Sequence, residues 1–443
     1  MDPRLIPYAE RPAPRYTSYP TAPHFHAGVN DDTYARWLTE LTPETKLSLY
    51  LHVPYCREIC AYCGCNTFAS RADGPILDYA QLLTREIEHA AALTPAKQIT
   101  SIAWGGGTPN ILPPGTFLAL VERLKQRFDF STLVEHGVEV DPRLLTGQHA
   151  EAFANAGVTR ASLGVQDLNP HVQEAIGRVQ PEAIVQRAIN MLRAEGIGEL
   201  NIDLMYGLPH QSIEDARHSA ETAASWKPNR VTVFGYAHVP WFKARQRLID
   251  ESALPGTEAR FDQAEAVRET LEALGYVAIG FDHFARPDDP LAIAAQNGEL
   301  TRSFQGYAQD DCDALIGFGA SAISTLPQGY AQNAPQVSLY SAAIGQGDFA
   351  TVRGVETSAE DKARRDIINR LLCDFTIDLD AFGSVDAFAA ALAHLQPLIA
   401  DGLATRDGAR ISVTKLGRPF ARLIAEAFDT YRPQSEARHS RAV

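Results

Sequence analysis

The chain has no long apolar run. Nothing in its 443 residues approaches the roughly 20 consecutive apolar residues that cross a bilayer as a helix, and the Pro- and Arg-rich opening, Met1 to Arg15, has no apolar signal-peptide core. A cytoplasmic location without a membrane span is expected. Positive charge is also short, with 40 Lys and Arg against 54 Asp and Glu for a formal net charge of −14. Nucleic acid and anionic membranes require a basic face, so neither is an expected partner, and an acidic substrate would need a local basic pocket. Cysteine is scarce too: 6 residues are too few for a disulfide scaffold in a chain of this length. No repeat at a solenoid period and no low-complexity tract occurs. With 45% apolar residues, one large catalytic domain and a smaller one are the natural expectation.

What is present is alternation. Runs rich in Val, Ile, Leu and aromatics recur at Leu47–Val53, Ser101–Trp104, Gly137–Asp141, Arg160–Val165, Glu199–Tyr206, Arg230–Tyr236 and Val277–Asp282. Between them lie stretches with helical apolar spacing, such as Leu77–Leu93 and Glu182–Glu195. Strands separated by helices predict an α/β fold with a parallel sheet. About six units favour an incomplete, TIM-like (β/α) barrel, although a doubly wound sheet gives a similar pattern. Residues 1–45 form an N-terminal arm punctuated by Pro7, Pro12, Pro14, Pro20 and Pro23, which reads as extended. Residues 46–354 form the barrel. Residues 355–443 read as a small, mostly helical, winged-helix-like domain: two apolar helices, a hairpin over Leu403–Val413 turned at Asp407-Gly408, and a closing helix over Arg418–Phe428.

Four of the cysteines sit within ten residues, which usually means a metal. Cys56, Cys60 and Cys63 form C-x3-C-x2-C, with Cys65 two residues on. The spacing also suits one face of a helix, but Pro54 just after a strand and Gly64 inside the stretch favour a loop wrapped around a metal. Thiolates suit zinc or iron–sulfur clusters. A structural zinc site usually draws two ligands from each of two knuckles, whereas these cysteines share one loop. Three cysteines leave one iron of a [4Fe-4S] cluster open, and that iron can be chelated by the amino and carboxylate groups of S-adenosylmethionine.

In a parallel barrel the carboxyl ends of the strands surround one cavity. Gly105-Gly106-Gly107 follows a strand and permits close backbone approach to a ligand. Glu139 at a strand end can accept from ribose hydroxyls or an amino group, and Gln166, Arg178 and Asp203 lie near the next strand ends.

The stretch Leu49-Tyr50-Leu51-His52-Val53-Pro54-Tyr55-Cys56 through Cys65-Asn66-Thr67 resembles the cluster loop of the radical S-adenosylmethionine superfamily, specifically the HemN family of oxygen-independent coproporphyrinogen III oxidases. The resemblance runs nearly end to end. It includes the arm Pro14-Arg15-Tyr16-Thr17-Ser18-Tyr19-Pro20-Thr21-Ala22, then Trp104-Gly105-Gly106-Gly107-Thr108-Pro109, Val138-Glu139-Val140-Asp141-Pro142 and Gly164-Val165-Gln166-Asp167. Asn201-Ile202-Asp203-Leu204, Tyr236-Ala237-His238, the run from Asp282 to Asp289, and Phe304-Gln305-Gly306-Tyr307 continue it in order.

The resemblance implies a [4Fe-4S] cluster on Cys56, Cys60 and Cys63 and two molecules of S-adenosylmethionine. Tyr50, Gly106, Glu139 and Ile323 are then expected at the first molecule; Tyr62, Gly107, Thr108, Gln166, Arg178, Asp203 and Ala237 at the second. Cys65 and Tyr50 are expected to act in catalysis, Cys65 without ligating iron. Haem-chaperone-like relatives typically carry an aromatic in place of Cys65 and lack the Arg-Tyr-Thr-Ser-Tyr-Pro arm. The implied reaction is decarboxylation of two propionates of coproporphyrinogen III to vinyl groups, giving protoporphyrinogen IX. It requires an electron donor for the cluster and a final electron acceptor of unknown identity, and a monomer is expected. Arg15, Tyr16, Tyr19, Lys243, Arg245 and Arg286 are the candidate anchors for substrate carboxylates. Competing readings are a haem-binding chaperone, a haem-degrading radical methyltransferase, and DNA binding through the C-terminal helix, which has only two arginines, Arg418 and Arg422, offset by Glu426.

Overall fold

In the computed structural model, residues 2–304, 306–309 and 312–432 are described; Gln305 of the last motif lies outside them. Strands β1 (Leu47–Val53), β2 (Ile99–Gly106), β3 (Glu135–Val140), β4 (Arg160–Gln166), β5 (Glu199–Tyr206) and β6 (Arg230–Gly235) pair in parallel, each with the next. Helices Gly74–Leu93, Pro114–Arg127, Gly147–Ala156, Glu182–Ala194, Ile213–Ser225 and Thr257–Ala273 follow them in turn. Spatial order equals chain order, so the sheet winds one way only; a doubly wound sheet would reverse direction at a switch point. The chain then adds β7 (Val277–Ile279), β8 (His283–Ala285), β9 (Ala314–Phe318), β10 (Ile323–Leu326), β11 (Gly329–Asn333) and β12 (Thr351–Glu356). The sheet runs β12-β11-β10-β9-β1-β2-β3-β4-β5-β6-β8-β7, with β9 parallel to β1 and the edges β12 and β7 unpaired with each other. An incomplete barrel of six βα units results.

One expected strand is corrected. Val277–Asp282 is not a further parallel unit: the chain turns at Gly280, where φ is +59°, and β8 runs antiparallel to both β6 and β7. Its carboxyl end, and Arg286 after it, therefore lie at the amino-terminal end of β6, where the Arg286 amide donates to the Asn229 carbonyl. Arg286 pairs with Asp288, and its role as a substrate anchor is withdrawn.

The strands alternate with period two. Outward residues such as Leu49, Leu51, Trp104, Leu163, Ile202 and Val231 are fully buried against the helices and form the main core. The inward set is polar. Ser48 shares a 2.7 Å hydrogen bond with Ser101, Asn201 donates to Ser162 and Asp203 at 2.8 Å each, Ser162 donates to Asp203 at 2.9 Å, and Thr232 donates to Asn201 at 3.1 Å. Such an interior is a lined chamber rather than a packed apolar core. At the amino-terminal end an ion network around the buried Arg160, Arg230 and Asp289 closes it: Arg160 bonds Glu135 and Glu199, and Arg230 bonds Asp289, at 2.9, 3.2 and 2.9 Å.

The arm is less extended than its prolines suggest. Ile6–Glu10 and Asp31–Thr39 are helices, the second N-capped by Asn30. Leu5, Ala9, Ala13, Tyr16 and Tyr19 join the core of the C-terminal unit, whereas Val29, Tyr34, Trp37 and Leu38 pack on the barrel. That unit has helices Ala359–Cys373 and Ala389–Ala400 and a three-stranded antiparallel sheet of β13 (Thr376–Asp378), β14 (Ala404–Asp407) and β15 (Arg410–Val413). The sequence pattern missed β13, which has only three residues. The hairpin's turn is Gly408-Ala409, with Gly408 at φ +60°, one residue later than expected. Its closing segment from Arg418 to Phe428 is helical but alternates 3-10 and α turns. No helix among the described residues is long and apolar enough to cross a membrane.

Candidate active site

The cysteine segment leaves β1 at Pro54 and is pinned at both ends. Tyr55–Cys56 pairs with Phe68–Ala69, and the loop between them contains no helix, as the proline and glycine predict. Cys60 is buried, and the neighbouring Ala61 amide donates to the Ile176 carbonyl at 2.9 Å. Cys65 is exposed, whereas Cys56 and Cys60 meet polar partners. Cys56 shares hydrogen bonds with the Thr108 and Thr67 hydroxyls at 3.2 and 3.3 Å, and Arg178 Nη1 donates to Cys60 Sγ at 3.6 Å. A hydrogen bond between the Cys63 and Cys65 thiols pulls Cys63 down to about 6 and pushes Cys65 up. Among the described residues no three His, Cys, Asp or Glu side chains converge as a ligand set for one ion. The ligands of a cubane each bind a different iron and need not converge in that way.

The glycine run is required by this loop. A Cβ on Gly106, whose φ is +111°, would lie 2.6 Å from the His52 ring, and one on Gly107 would lie 2.5 Å from Thr67 and 2.6 Å from the Tyr55 carbonyl. Any side chain here would lever the cysteine loop off β2. The Gly106 amide donates to Glu139 at 3.2 Å and the Gly107 amide to the Val53 carbonyl at 2.8 Å. What these residues offer a ligand is therefore carbonyl oxygen and close approach rather than free amides.

The expected first group gathers around β1, β2, β3 and β9. Tyr50 points into the chamber and donates to His52 Nδ1 at 3.0 Å, while His52 Nε2 donates to the Asn66 carbonyl at 2.9 Å. Burial drives His52 down to about 4, in keeping with a neutral ring that accepts at one nitrogen and donates at the other. Enclosure by the barrel walls, with Asp203 adding repulsion, pushes the Glu139 carboxyl up to about 7. Ile323 opens β10, and its carbonyl fills the space that a Cβ on Gly317, the register partner of Tyr50, would need.

The second group lines β4, β5 and β6. Arg178 donates to the Gly164 carbonyl at 2.6 Å and to Asp141 at 3.4 Å, and its buried Nε has no partner. Burial opposes the Arg178 charge, but Tyr62, Asp141 and Cys60 hold it on. Gln166 ends β4 at φ +72°, and burial raises Asp203 despite bonds from Ser162 and Asn201. One amide ties the group together: Gln246 Nε2 donates to the Tyr62 carbonyl at 2.8 Å and the Ala237 carbonyl at 3.1 Å. Thr108 and Gly107 contact the cysteine loop itself.

Of the anchors suggested by sequence, Lys243 and Arg245 lie on the cysteine loop, donating to the carbonyls of Cys65 and Ile59 at 3.2 and 3.0 Å. Arg15 donates to the Gly235 carbonyl at 3.3 Å and lines a cavity of ≈ 900 Å³ between the barrel mouth and the C-terminal unit. Tyr16 and Tyr19 are corrected. Both are buried, with hydroxyls bonded to Asp429 and Thr430 at 3.0 and 3.1 Å, so they join the arm to the C-terminal unit. Sequence reasoning missed His52, Thr67 and Gln246. His52 was signalled by the polar alternation Ser48, Tyr50, His52 along β1; nothing in the sequence signals Gln246.

An open (β/α) barrel with a three-cysteine loop at its carboxyl mouth and a polar chamber beneath it defines the class of radical S-adenosylmethionine enzymes. The Radical SAM superfamily model matches residues 50–223, and the HemN C-terminal domain model matches residues 357–420. The oxygen-independent coproporphyrinogen III oxidase of Bradyrhizobium diazoefficiens is 45% identical over 444 residues, covering 99% of each chain. That of Paracoccus denitrificans is 41% identical, covering 97% of this chain and 96% of the relative. The solved Escherichia coli coproporphyrinogen III oxidase (HemN), described as a radical SAM enzyme, superposes with a TM-score of 0.89 at 38% identity, covering 94% of this chain and 97% of that one. The chain belongs to the HemN family of oxygen-independent coproporphyrinogen III oxidases.

Proposed function

We infer that the chain oxidatively decarboxylates two propionates of coproporphyrinogen III to vinyl groups without oxygen, giving protoporphyrinogen IX in porphyrin and haem biosynthesis. The observation that carries this reading is that the three-cysteine loop and the ≈ 900 Å³ cavity share one barrel mouth, with Ala237 at the cavity wall tied through Gln246 to Tyr62 of the loop.

The residues fit the cofactors of the class. Cys56, Cys60 and Cys63 would hold a [4Fe-4S] cluster, their sulfur charge offset by Arg178 and by the Thr67 and Thr108 hydroxyls. Two molecules of S-adenosylmethionine would be held, one by Tyr50, Gly106, Glu139 and Ile323, the other by Tyr62, Gly107, Thr108, Gln166, Arg178, Asp203 and Ala237. The orphaned Arg178 Nε suits a carboxylate, and Glu139 and Asp203 suit a sulfonium or ribose hydroxyls. When bound, these cofactors would supply abstraction of a hydrogen atom from a propionate β-carbon, with carbon dioxide and one electron as the leaving groups. The chain's own part is to orient the propionate and exclude water. Cys65 stands at the chamber without serving as a ligand, and Tyr50 orients its neighbours through His52. A one-electron donor and a separate final acceptor complete the cycle, and the protein works as a cytoplasmic monomer.

Anaerobic incubation of reconstituted protein with coproporphyrinogen III, S-adenosylmethionine and a reductant tests the reading. Protoporphyrinogen IX with two carbon dioxide per substrate is expected. Tight haem binding without decarboxylation, or methylated ring-opened products, would overturn it.

A further inference from the structure

The cavity beside the barrel mouth is built by three parts of the chain, and its charges do not balance. Its wall carries four carboxylates against six Lys and Arg side chains. Glu265 and Glu272 share Arg268 at 2.6 and 2.7 Å, and Glu251 and Asp282 bond the imidazoles of His238 and His283 at 3.0 and 2.7 Å. Three of the wall's arginines come from outside the barrel. Arg15, from the arm, donates to the Gly235 carbonyl, and Arg418, from the C-terminal unit, stacks on the Phe375 ring at 4.9 Å. Arg422, also on the wall, is buried and donates to the Ala13 carbonyl at 3.1 Å. Behind them Arg302 lies against the Phe281 and Tyr307 rings and donates to the Arg15 carbonyl at 3.3 Å; its buried Nε and Nη1 have no hydrogen-bond partner among the described residues. An excess of cationic side chains over carboxylates in a walled cavity selects an anion, and a guanidinium fork suits carboxylates. Phe261, Phe281, Phe284 and Leu254 supply an apolar wall for a macrocycle.

We propose that Arg15, Arg418 and Arg422 hold the two propionates that the reaction leaves intact, so that the arm and the C-terminal unit decide which edge of the tetrapyrrole faces the cofactors. This rests on the decarboxylase reading and deepens it. Arg302 acts as a positioning residue that fixes the Arg15 segment. The assignment explains why a barrel that already contains the cofactor residues carries two further elements at its mouth. It also explains why the arginines of the last helix line an internal wall instead of a surface open to DNA.

The test uses cluster-loaded protein and two unreactive probes, fluorescent coproporphyrin III and its neutral tetra-amide. R15Q and R418Q are the variants, because both side chains are accessible whereas Arg422 is buried; their iron content and melting temperature serve as folding controls. Each variant is expected to weaken coproporphyrin III binding about tenfold. The tetra-amide should bind weakly and equally to all three proteins. In turnover the variants should release a product with three propionates, since a poorly anchored substrate leaves between the two steps. Unchanged coproporphyrin III affinity in both variants, or equal affinity of the parent for acid and amide, would overturn the assignment. A parent protein that yields no vinyl product would instead sink the decarboxylase reading.

Discussion

The two ends of one barrel treat the same residue types in opposite ways. On β3, Glu135 at the amino-terminal end feels burial pushing its carboxyl up, but Arg160 and Arg230 outweigh it and hold it below the ordinary range. Four residues on, Glu139 has no such cation and is pushed up to about 7. On β4 and its following loop, Arg160 has three carboxylates within 4 Å, Glu135, Glu199 and Asp289, whereas Arg178 near the cysteine loop has one, Asp141 at 3.4 Å. Charges that satisfy each other stabilise the fold; charges left short of partners await a ligand. The contrast locates function at the carboxyl mouth.

Breaking the mouth should cost the most activity and little stability. Replacing Cys56, Cys60 or Cys63 with Ser should abolish the brown cluster and all reductive cleavage of S-adenosylmethionine, read by iron and sulfide content of about four each in the parent and near zero in the variants. Cys65→Ser sharpens the distinction within the loop. Iron content should persist while decarboxylation is lost; loss of both would make Cys65 a ligand.

Breaking the closed end should do the reverse. Arg230→Ala leaves Asp289 buried without its 2.9 Å partner and should cost about 3–5 kcal/mol in urea unfolding. At the open end, Asp203→Asn should leave stability within about 1 kcal/mol of the parent or raise it, because it removes a carboxylate that burial already disfavours. It should weaken S-adenosylmethionine binding. Equal destabilisation by both substitutions would erase the contrast between the ends.

The smallest effect is in pH. Glu139 titrates above its unfolded value, so in the ligand-free protein it is neutral below about 7 and ionised above. A cationic sulfonium prefers the carboxylate, and affinity for S-adenosylmethionine should therefore tighten severalfold as pH rises through about 7. Glu139→Gln should flatten that profile in equilibrium binding of the cluster-loaded protein.

The parallel barrel was legible because β1 to β6 alternate with helices at regular intervals, and the cluster loop because four cysteines fall within ten residues. Where a strand is three residues long, as at β7, β8 and β13, too few side chains exist to register a period, and the antiparallel turn at Gly280 went unseen. That turn carried Arg286 to the wrong end. Composition also misled in the arm: Tyr16 and Tyr19 read as hydroxyls for a carboxylate, yet their rings fill a core built by residues some 400 positions away. Pairings such as Gln246 with Tyr62, or the arginines that meet across the cavity, depend on long-range closure that no local pattern encodes.

If the carboxyl mouth directs a radical at the substrate's propionate β-carbon, the hydrogen lost there must appear in 5′-deoxyadenosine. Anaerobic turnover of coproporphyrinogen III deuterated at those carbons, followed by mass analysis of the 5′-deoxyadenosine formed, tests it most directly. One deuterium transferred per vinyl group formed is the predicted result. Vinyl product accompanied by unlabelled 5′-deoxyadenosine would contradict it.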